Sequence, residues 1–265
     1  MTKKRAIVSV INDLVTDQRV KKTCLVLVEK GYEVTLIGRK LPGSLPLQQT
    51  PYHCVRMNLL FKKGPAFYFF FNLRLFLFLF FNKADLLVAN DLDTLGPNYR
   101  ISKWKKTVLI YDSHEIFTEV PELANNPTKK KIWERLEKKI VPKLKFCITV
   151  NGSIANWFYE KYKVKFYVIR NIPPPAEITK AKTRKELGLP ENKKIILLQG
   201  AGINVDRGSE ELVEAMKYTE DVLLLVIGSG DVIGKLKQIT IENSLQDKIV
   251  FKDKMPSTEL VHYTK

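Results

Sequence analysis

The protein has 265 residues, of which 45% are hydrophobic and 27% are charged. A chain of this length and composition can bury a large core, which excludes an intrinsically disordered protein and a small disulfide-stapled scaffold. Lysine and arginine number 44 against 28 aspartate and glutamate residues, a net charge of +16. We therefore expect an anionic partner, such as a nucleotide, a nucleic acid or an acidic membrane face.

The three cysteines and three histidines are scattered, without a C-x-x-C pair or the spacing of metal ligands. The sequence therefore predicts neither a zinc module nor a disulfide framework. The basic start is followed by an apolar run over residues 6–11 only, which is too short for a signal-peptide core. We interpret the chain as a cytoplasmic protein.

Short β-rich runs alternate with longer helical patterns, which is typical of βαβ units and a parallel sheet. Val20, Cys24, Leu27 and Val28 predict an amphipathic helix that ends at Gly31, and further helices are predicted over 132–140 and 154–162. The predicted strands in this part are 6–11, 34–37, 53–57, 86–89, 108–111, 146–150 and 166–169.

Polar residue pairs follow five of these strands. Ligands of open parallel sheets bind beyond the carboxyl ends of the strands, so five polar ends on one edge favour a site there, although loops are polar in general. The pairs are Asn12-Asp13, Gly38-Arg39, Asn90-Asp91, His114-Glu115 and Asn151-Gly152.

A proline-rich stretch interrupts the pattern at residues 170–175. Three consecutive prolines cannot continue a strand or a helix, so we predict a linker over 171–182 between a first domain, 1–170, and a second, 183–265. In the second domain, strands are predicted over 194–198, 222–227 and 249–251, and helices over 209–218, 232–241 and 257–263. A doubly wound half usually has about five or six strands, so we expect this domain to be incomplete and the chain to be a fragment.

Two glycine-rich turns in the second domain follow strands on one sheet edge. QGAGINVDRG occupies 199–208 and opens a predicted helix, and IGSGD occupies 227–231. Glycines let backbone N–H groups approach a phosphate, and a helix N-terminus carries about half a positive charge. Gly-rich loops alone are weak evidence, and a bare glycine turn is the alternative. The predicted donor-binding residues are Gly200, Arg207, Gly208, Gly228 and Gly230.

The first βα turn carries neither the G-x-G-x-x-G dinucleotide fingerprint nor a Walker A loop. This excludes nicotinamide dehydrogenases and P-loop ATPases.

Five motifs together resemble those of the group 1 glycosyltransferases, the family-four type of the GT-B fold. They occur in the family's order along the whole chain, as NDLVTDQRV (12–20), GYEV (31–34), NDLDTL (90–95), YDSHE (111–115) and RG followed by EL (207–212). The resemblance implies two Rossmann-like, doubly wound parallel-sheet domains, the second incomplete. It also implies that the first domain binds acceptor, that the second binds a nucleotide-diphosphate sugar, and that transfer retains the anomeric configuration without a metal or another cofactor.

Residue by residue, His114 matches the family's active-site histidine beside the transferred sugar, and Arg207 matches the basic residue that binds the donor diphosphate. The family's arginine at the start of that loop falls on Gly202 here, so the family's second diphosphate contact lacks its usual residue. The family's paired glutamates would lie beyond Lys265, so the donor site is incomplete in this sequence. Cations near the phosphates would stabilise the charge that develops on the leaving group.

The predicted acceptor-binding residues are Asn12, Asp13, Asp91, Asp93 and Glu115. The Asp91–Asp93 spacing also resembles the metal-binding D-x-D of a different glycosyltransferase fold. We predict instead that Asp91 is the N-cap of a helix, and that it contacts acceptor hydroxyls.

The segment over residues 66–81 is almost wholly apolar and aromatic. As a helix it would be ~24 Å long, shorter than the ~30 Å hydrocarbon core, and Arg74 would lie at mid-depth, so we predict that it does not span a membrane. It is either a core helix or an interfacial helix that dips its aromatic face into an anionic bilayer. We hypothesise peripheral contact with the inner face of the membrane.

Three hypotheses follow. The first is a retaining glycosyltransferase that acts on a cell-envelope, polysaccharide or lipid-linked acceptor. The second is a nucleotide-sugar epimerase of the same fold, which a requirement for a separate acceptor would exclude. The third is a truncated, non-enzymatic protein that binds membrane or another anionic surface. Nucleic acid is not an expected partner, because no recognised binding motif accompanies the charge.

Overall fold

The structure is a computed structural model that describes residues 3–15, 17–41, 44, 46–47, 49–124, 126–172, 181–200 and 202–264. The chain divides into two compact units, Met1–Ile172 and Pro173–Lys265. The predicted linker, 171–182, falls mostly on residues 173–180, which lie outside the described residues.

The first unit is built on seven strands. These are β1 (Arg5–Ser9), β2 (Glu33–Arg39), β3 (His53–Met57), β4 (Leu86–Asn90), β5 (Val108–Ser113), β6 (Phe146–Thr149) and β7 (Tyr167–Val168). The helices are α1 (Gln18–Glu29), α2 (Gly64–Phe81), α3 (Leu92–Lys105), α4 (Pro121–Ala124), α5 (Pro127–Ile140) and α6 (Gly152–Tyr162).

All neighbouring strands in this sheet are parallel, in the order β3-β2-β1-β4-β5-β6-β7. The order reverses between β1 and β4, which makes this the point where a doubly wound sheet opens a crevice at its carboxyl edge. Each predicted strand is present and shifted by at most two residues at either end, and the parallel α/β class is confirmed.

Alternate residues of each strand point to opposite faces of the sheet, and helices bury both faces. Ile7 of β1 packs in a core with α2, α3, α5 and α6, whereas its neighbours Ala6 and Val8 pack in a second core with Val20 and Cys24 of α1. The predicted amphipathic helix is therefore confirmed as the cover of one face.

Helix α2 packs on the sheet through a single stripe. Phe67, Phe71, Leu75 and Leu79 recur every four residues and are buried. The opposite side is exposed and still apolar, and Phe81 is 76% accessible to solvent. Within the described part of the chain, α2 is the one helix long and apolar enough to cross a membrane by length and composition.

The second unit has a three-stranded parallel sheet in the order β10-β9-β8. Its elements are β8 (Lys194–Gly200), α7 (Ser209–Ala215), β9 (Val222–Gly228), α8 (Ile233–Glu242), β10 (Ile249–Lys252) and α9 (Ser257–Leu260). All three predicted strands are confirmed. Helix α7 is shorter than predicted, because its last turn, Met216–Tyr218, is a 3₁₀ helix.

Candidate functional site

A cleft of about 530 Å³ lies in the first unit and is lined by residues that follow the sheet's carboxyl edge. Asn12 and Asp13 follow β1, His114 follows β5, and Arg19 belongs to the first turn of α1. Three of the residues predicted to form a site, Asn12, Asp13 and His114, therefore share this cleft.

His114 is held between two carboxylates. Its Nδ1 lies 3.2 Å from Oδ2 of Asp91, and its Nε2 lies 3.5 Å from Oδ2 of Asp112. The backbone N–H of His114 also donates to Oδ1 of Asp91 at 2.8 Å. These contacts fix both the loop and the ring of the histidine.

Asp91 contacts His114 from an unusual backbone conformation, with φ 58° and ψ 170°. A residue with a side chain rarely adopts a positive φ, and such strain concentrates at functional sites. Asp91 stands at the N-cap position of α3 but makes no side-chain capping hydrogen bond. The predicted N-cap position of Asp91 is therefore confirmed, but its side chain does not cap the helix, because the carboxylate bonds to His114 instead.

The charges around His114 set its protonation state. Burial lowers the pKa of His114, but the negative charges of Asp91 and Asp112 outweigh burial and raise it to about 9. Burial also raises the pKa of Asp91, to about 6, although His114 opposes that shift. These two carboxylates favour the imidazolium form of His114, in which both ring nitrogens are hydrogen-bond donors.

Arg19 completes the network behind the histidine. Its Nη2 donates to Oδ1 of Asp112 at 2.5 Å, its Nε donates to Oδ2 at 3.1 Å, and its Nη1 donates to the carbonyl oxygen of Ile169 at 2.7 Å. Both members of the Arg19–Asp112 pair are buried. Both residues lie inside the sequence motifs 12–20 and 111–115, but the sequence alone indicates a role for neither of them.

Asp13 is engaged by its own neighbours. Its carboxylate accepts hydrogen bonds from the Ser44 hydroxyl, from the Val15 N–H at 3.0 Å and from Nη2 of Arg56 at 2.9 Å. Burial raises the pKa of Asp13, but these partners outweigh burial and hold it below its usual value. Asp13 is therefore ionised and fixed in position at the wall of the cleft.

The other two predicted acceptor residues lie differently. Asp93 is 4% exposed, and burial raises its pKa well above the usual value. Glu115 is half-buried and lines a separate groove, described below. Their predicted acceptor contacts stay predictions.

A smaller cleft of about 220 Å³ lies in the second unit. Gly200 ends β8, Gly228 ends β9 and Lys254 follows β10, and all three line this cleft. The cleft is therefore at the carboxyl edge of that sheet, where a ligand is expected. Lys254 was missed by sequence reasoning, although its position just after a strand was a usable signal.

The glycines of the two turns allow close approach of the backbone. A Cβ on Gly228 would lie 1.8 Å from the carbonyl oxygen of Gly200, and a Cβ on Gly230 would lie 1.9 Å from that of Ile203. Hydrogen bonds join the turns, from the Ser229 N–H to the Gly200 oxygen and from the Ile203 N–H to the Ser229 oxygen, both at 3.1 Å. These glycines are required for packing, whatever the cleft binds.

Arg207 and Gly208 lie outside the lining of this cleft. Arg207 is exposed, and Gly208, with φ +83°, precedes α7. Helix α7 has seven residues and two glutamates, Glu210 and Glu211, in its first turn. The sequence predicted that the partial positive charge at the N-terminus of this helix binds a phosphate. The two carboxylates offset that charge.

No group of three or more His, Cys, Asp or Glu side chains among the described residues could hold a metal ion.

The family model for Glycosyltransferase Family 4 matches residues 18–179, which is more than half of the chain. The chain belongs to this family. The predicted active-site motif centred on His114 lies within the matched residues, and the protein is an enzyme of the glycosyltransferase class. No curated protein sequence matches the chain.

Several solved glycosyltransferase structures are similar in fold to this Family 4 chain. Sucrose-phosphate synthase from Thermosynechococcus elongatus has a TM-score of 0.78 at 16% identity, over 98% of this chain and 73% of that one. WaaG, a glycosyltransferase of lipopolysaccharide biosynthesis, has a TM-score of 0.68 at 12% identity, over 97% and 72%. HepE from Anabaena, solved with UDP and glucose, has a TM-score of 0.65 at 14% identity, over 96% and 70%. The predicted GT-B fold is thus confirmed.

Proposed function

We propose that this Family 4 protein is a retaining glycosyltransferase that moves a sugar from a nucleotide-diphosphate donor to a cell-envelope or polysaccharide acceptor. The observation that carries the proposal is the position of His114, held between Asp91 and Asp112 in a cleft of a Family 4 domain.

In this reaction the bond between the anomeric carbon and the donor diphosphate breaks, and the carbon forms a bond to an acceptor hydroxyl. The proton of that hydroxyl leaves with the diphosphate, so atoms and charge balance. His114 lines the cleft, and its buried Nε2 faces Oδ2 of Asp112 at 3.5 Å. In this scheme the positive ring beside the cleft stabilises negative charge on the leaving group.

The proposed donor residues are those of the second unit. Gly200 and Gly228 leave the cleft floor without side chains, and Lys254 supplies a cation there. Arg207 is the further proposed diphosphate contact. UDP-sugars are the first donors to test, because the similar HepE was solved with UDP and with UDP-glucose. No metal is required in this scheme.

The acceptor side is proposed to work at the inner face of a membrane, with the protein in the cytoplasm. Phe69, Phe81 and their apolar neighbours form the exposed side of α2, and Lys62, Lys63 and Lys83 flank the helix. Aromatic side chains beside lysines suit an anionic bilayer surface.

The decisive experiment is a screen of nucleotide sugars with and without acceptors, with nucleotide release followed by chromatography and product configuration by NMR. We expect release that depends on acceptor and a product with the donor's anomeric configuration. His114→Gln should lower the rate by about a hundredfold, the scale of one lost electrostatic donor.

The control is His53→Gln, an exposed histidine on β3, which should leave the rate unchanged. Conversion of the donor to its epimer without acceptor would instead establish the epimerase. No nucleotide release with any donor would reject the proposal.

Membrane contact is tested by sedimentation with vesicles of phosphatidylglycerol and phosphatidylcholine at low salt. The double variant Phe69→Ser/Phe81→Ser should lose binding, whereas Tyr218→Ser, which removes an exposed aromatic in the second unit, should not. Equal loss in both variants, or no binding by the native protein, would contradict the membrane proposal.

A further inference from the structure

A second groove in the first unit, of about 630 Å³, is larger than the cleft at His114. It lies between α2, α3 and α5, and its walls are mainly aromatic and aliphatic side chains. An apolar lining of this size is typical of sites that enclose a hydrophobic ligand.

The walls of the groove are held by aromatic contacts. Trp133 of α5 meets Tyr68 of α2 at a ring distance of 5.2 Å and Phe117 at 5.1 Å, both edge to face. On α3 the groove is lined by Gly96 and Pro97, which have little or no side chain to fill it. The depression is thus formed by small residues on one helix that face large residues on its neighbours.

The charge of the groove favours an anion. Arg100 of α3 and Lys129 of α5 both line it and are exposed, whereas Glu115 is the one acidic residue among the described lining residues. A ligand with an apolar body and a negatively charged head would be complementary to these walls.

Two lining residues connect the groove to the outer side of α2 and to the turn that carries His114. Phe69 lines it and is 63% exposed on the outer side of α2, the side proposed to meet a membrane. Glu115 lines it as well and follows His114 directly in the chain. An apolar chain seated here would extend from the lipid-facing side of α2 toward the turn that carries His114.

We propose that this groove binds the apolar chain of an anionic amphiphile, a lipid phosphate, whose head group lies between Arg100 and Lys129. The further role of this lipid, as carrier of the acceptor sugar, rests on the proposed glycosyltransferase function. Binding itself does not, because it needs neither a donor nor transfer.

The test uses Trp133 as a reporter inside the groove. The chain has three tryptophans, and the variant Trp104→Phe/Trp157→Phe leaves Trp133 alone. Titration with a terminally brominated dodecyl phosphate below its micelle concentration should quench this fluorescence saturably. In otherwise native protein, Trp133→Phe should abolish the saturable quenching, which keeps the test usable if the double variant folds poorly.

Two matched pairs of substitutions test the head-group contact. Arg100→Gln/Lys129→Gln should weaken binding about fivefold, as expected for two exposed ion pairs of about 0.5 kcal/mol each. Lys103→Gln/Lys131→Gln removes two exposed lysines from the same helices outside the groove lining and should have no effect. The brominated alcohol, which lacks the phosphate, should bind the native protein as weakly as the brominated phosphate binds the Arg100→Gln/Lys129→Gln variant. Inorganic phosphate alone should not compete at equal concentration.

Three outcomes would overturn the proposal: no quenching, quenching that is linear and equal for phosphate and alcohol, or a groove closed by a second copy of the chain. The last would appear in sedimentation velocity as a dimer that Trp133→Phe or the ligand dissociates. Failure of lipid binding with intact transfer to a water-soluble acceptor would reject the groove alone. Lipid binding without any transfer would reject the proposed function alone.

Discussion

The two units form the carboxyl edges of their sheets in different ways. In the first, the carboxyl edge is formed by charged side chains, with His114 between Asp91 and Asp112 and the buried Arg19–Asp112 pair behind it. In the second, the edge is formed by backbone, because Gly228 and Gly230 bring two turns into contact.

This difference has a physical consequence for each edge. A buried charged network depends on every partner, since removal of one member leaves another charge uncompensated. A glycine-packed edge depends instead on the absence of a Cβ, so a single methyl group disturbs it, whereas its charges lie at the surface. The first edge should therefore respond to charge substitution and pH, and the second to volume.

The largest expected effect is at the first edge. Arg19→Met removes the bidentate partner of Asp112 and should lower the free energy of unfolding of the first unit by about 3–5 kcal/mol, the usual effect of breaking a buried ion pair. All three tryptophans lie in this unit, so urea unfolding followed by tryptophan fluorescence measures it.

The control is Arg5→Met, which breaks the exposed pair Arg5–Glu33 and should cost less than about 1 kcal/mol. If both variants lose the same stability, the network at Arg19 is no stronger than a surface pair, and the contrast between the two edges disappears.

A smaller effect is expected at the second edge. Gly230→Ala places a methyl group 1.9 Å from the Ile203 oxygen, so the turns must separate, at a cost of about 2–3 kcal/mol. Hydrogen exchange of the β8 and β9 amides should show this loss, while the tryptophan transition of the first unit stays unchanged.

Gly234→Ala is the matched substitution, because its Cβ meets no atom within 4 Å and Gly234 lies inside helix α8. It should stabilise the second unit by about 0.5–1 kcal/mol. If hydrogen exchange changes equally in Gly230→Ala and Gly234→Ala, the close approach of Gly230 to Ile203 does not control the stability of the second unit.

The sequence predicts the strands and the carboxyl edge well, because hydrophobic periodicity and the residue after each strand are local signals. It also points to His114 and to the close-approach glycines. It does not predict the Arg19–Asp112 pair, whose members are 93 positions apart. Arg19 looks like an ordinary polar residue of an amphipathic helix, and only the tertiary fold shows that it is buried.

The two corrections have different origins. An aspartate at an N-cap normally caps the helix with its side chain, but the carboxylate of Asp91 bonds to the loop of a neighbouring strand, 23 residues away, which only the fold brings close. Helix α7 was expected to have a positive N-terminus, but Glu210 and Glu211 in its first turn offset that charge. These glutamates follow Ser209 directly, so the sequence alone was a sufficient signal there.

The pH dependence of the first unit is expected to be smaller than the effects of Arg19→Met and Gly230→Ala. The pKa of His114 is raised in the folded state from its ordinary 6.5 to about 9, so between these values the folded protein holds a proton that the unfolded chain has lost. Unfolding free energy should therefore fall as pH rises from about 6.5 to 9, by about 1–2 kcal/mol once coupling to Asp91 is included.

His114→Gln should remove this fall, since glutamine does not titrate, whereas His53→Gln should preserve it. The measurement is the difference between native and variant unfolding free energies at pH 6.5 and pH 9, which cancels the groups common to both proteins. A difference that does not change with pH would mean that His114 is neutral near pH 7. In that case the imidazolium proposed to stabilise the leaving diphosphate would not exist at physiological pH, and the ring would act only as a neutral hydrogen-bond donor.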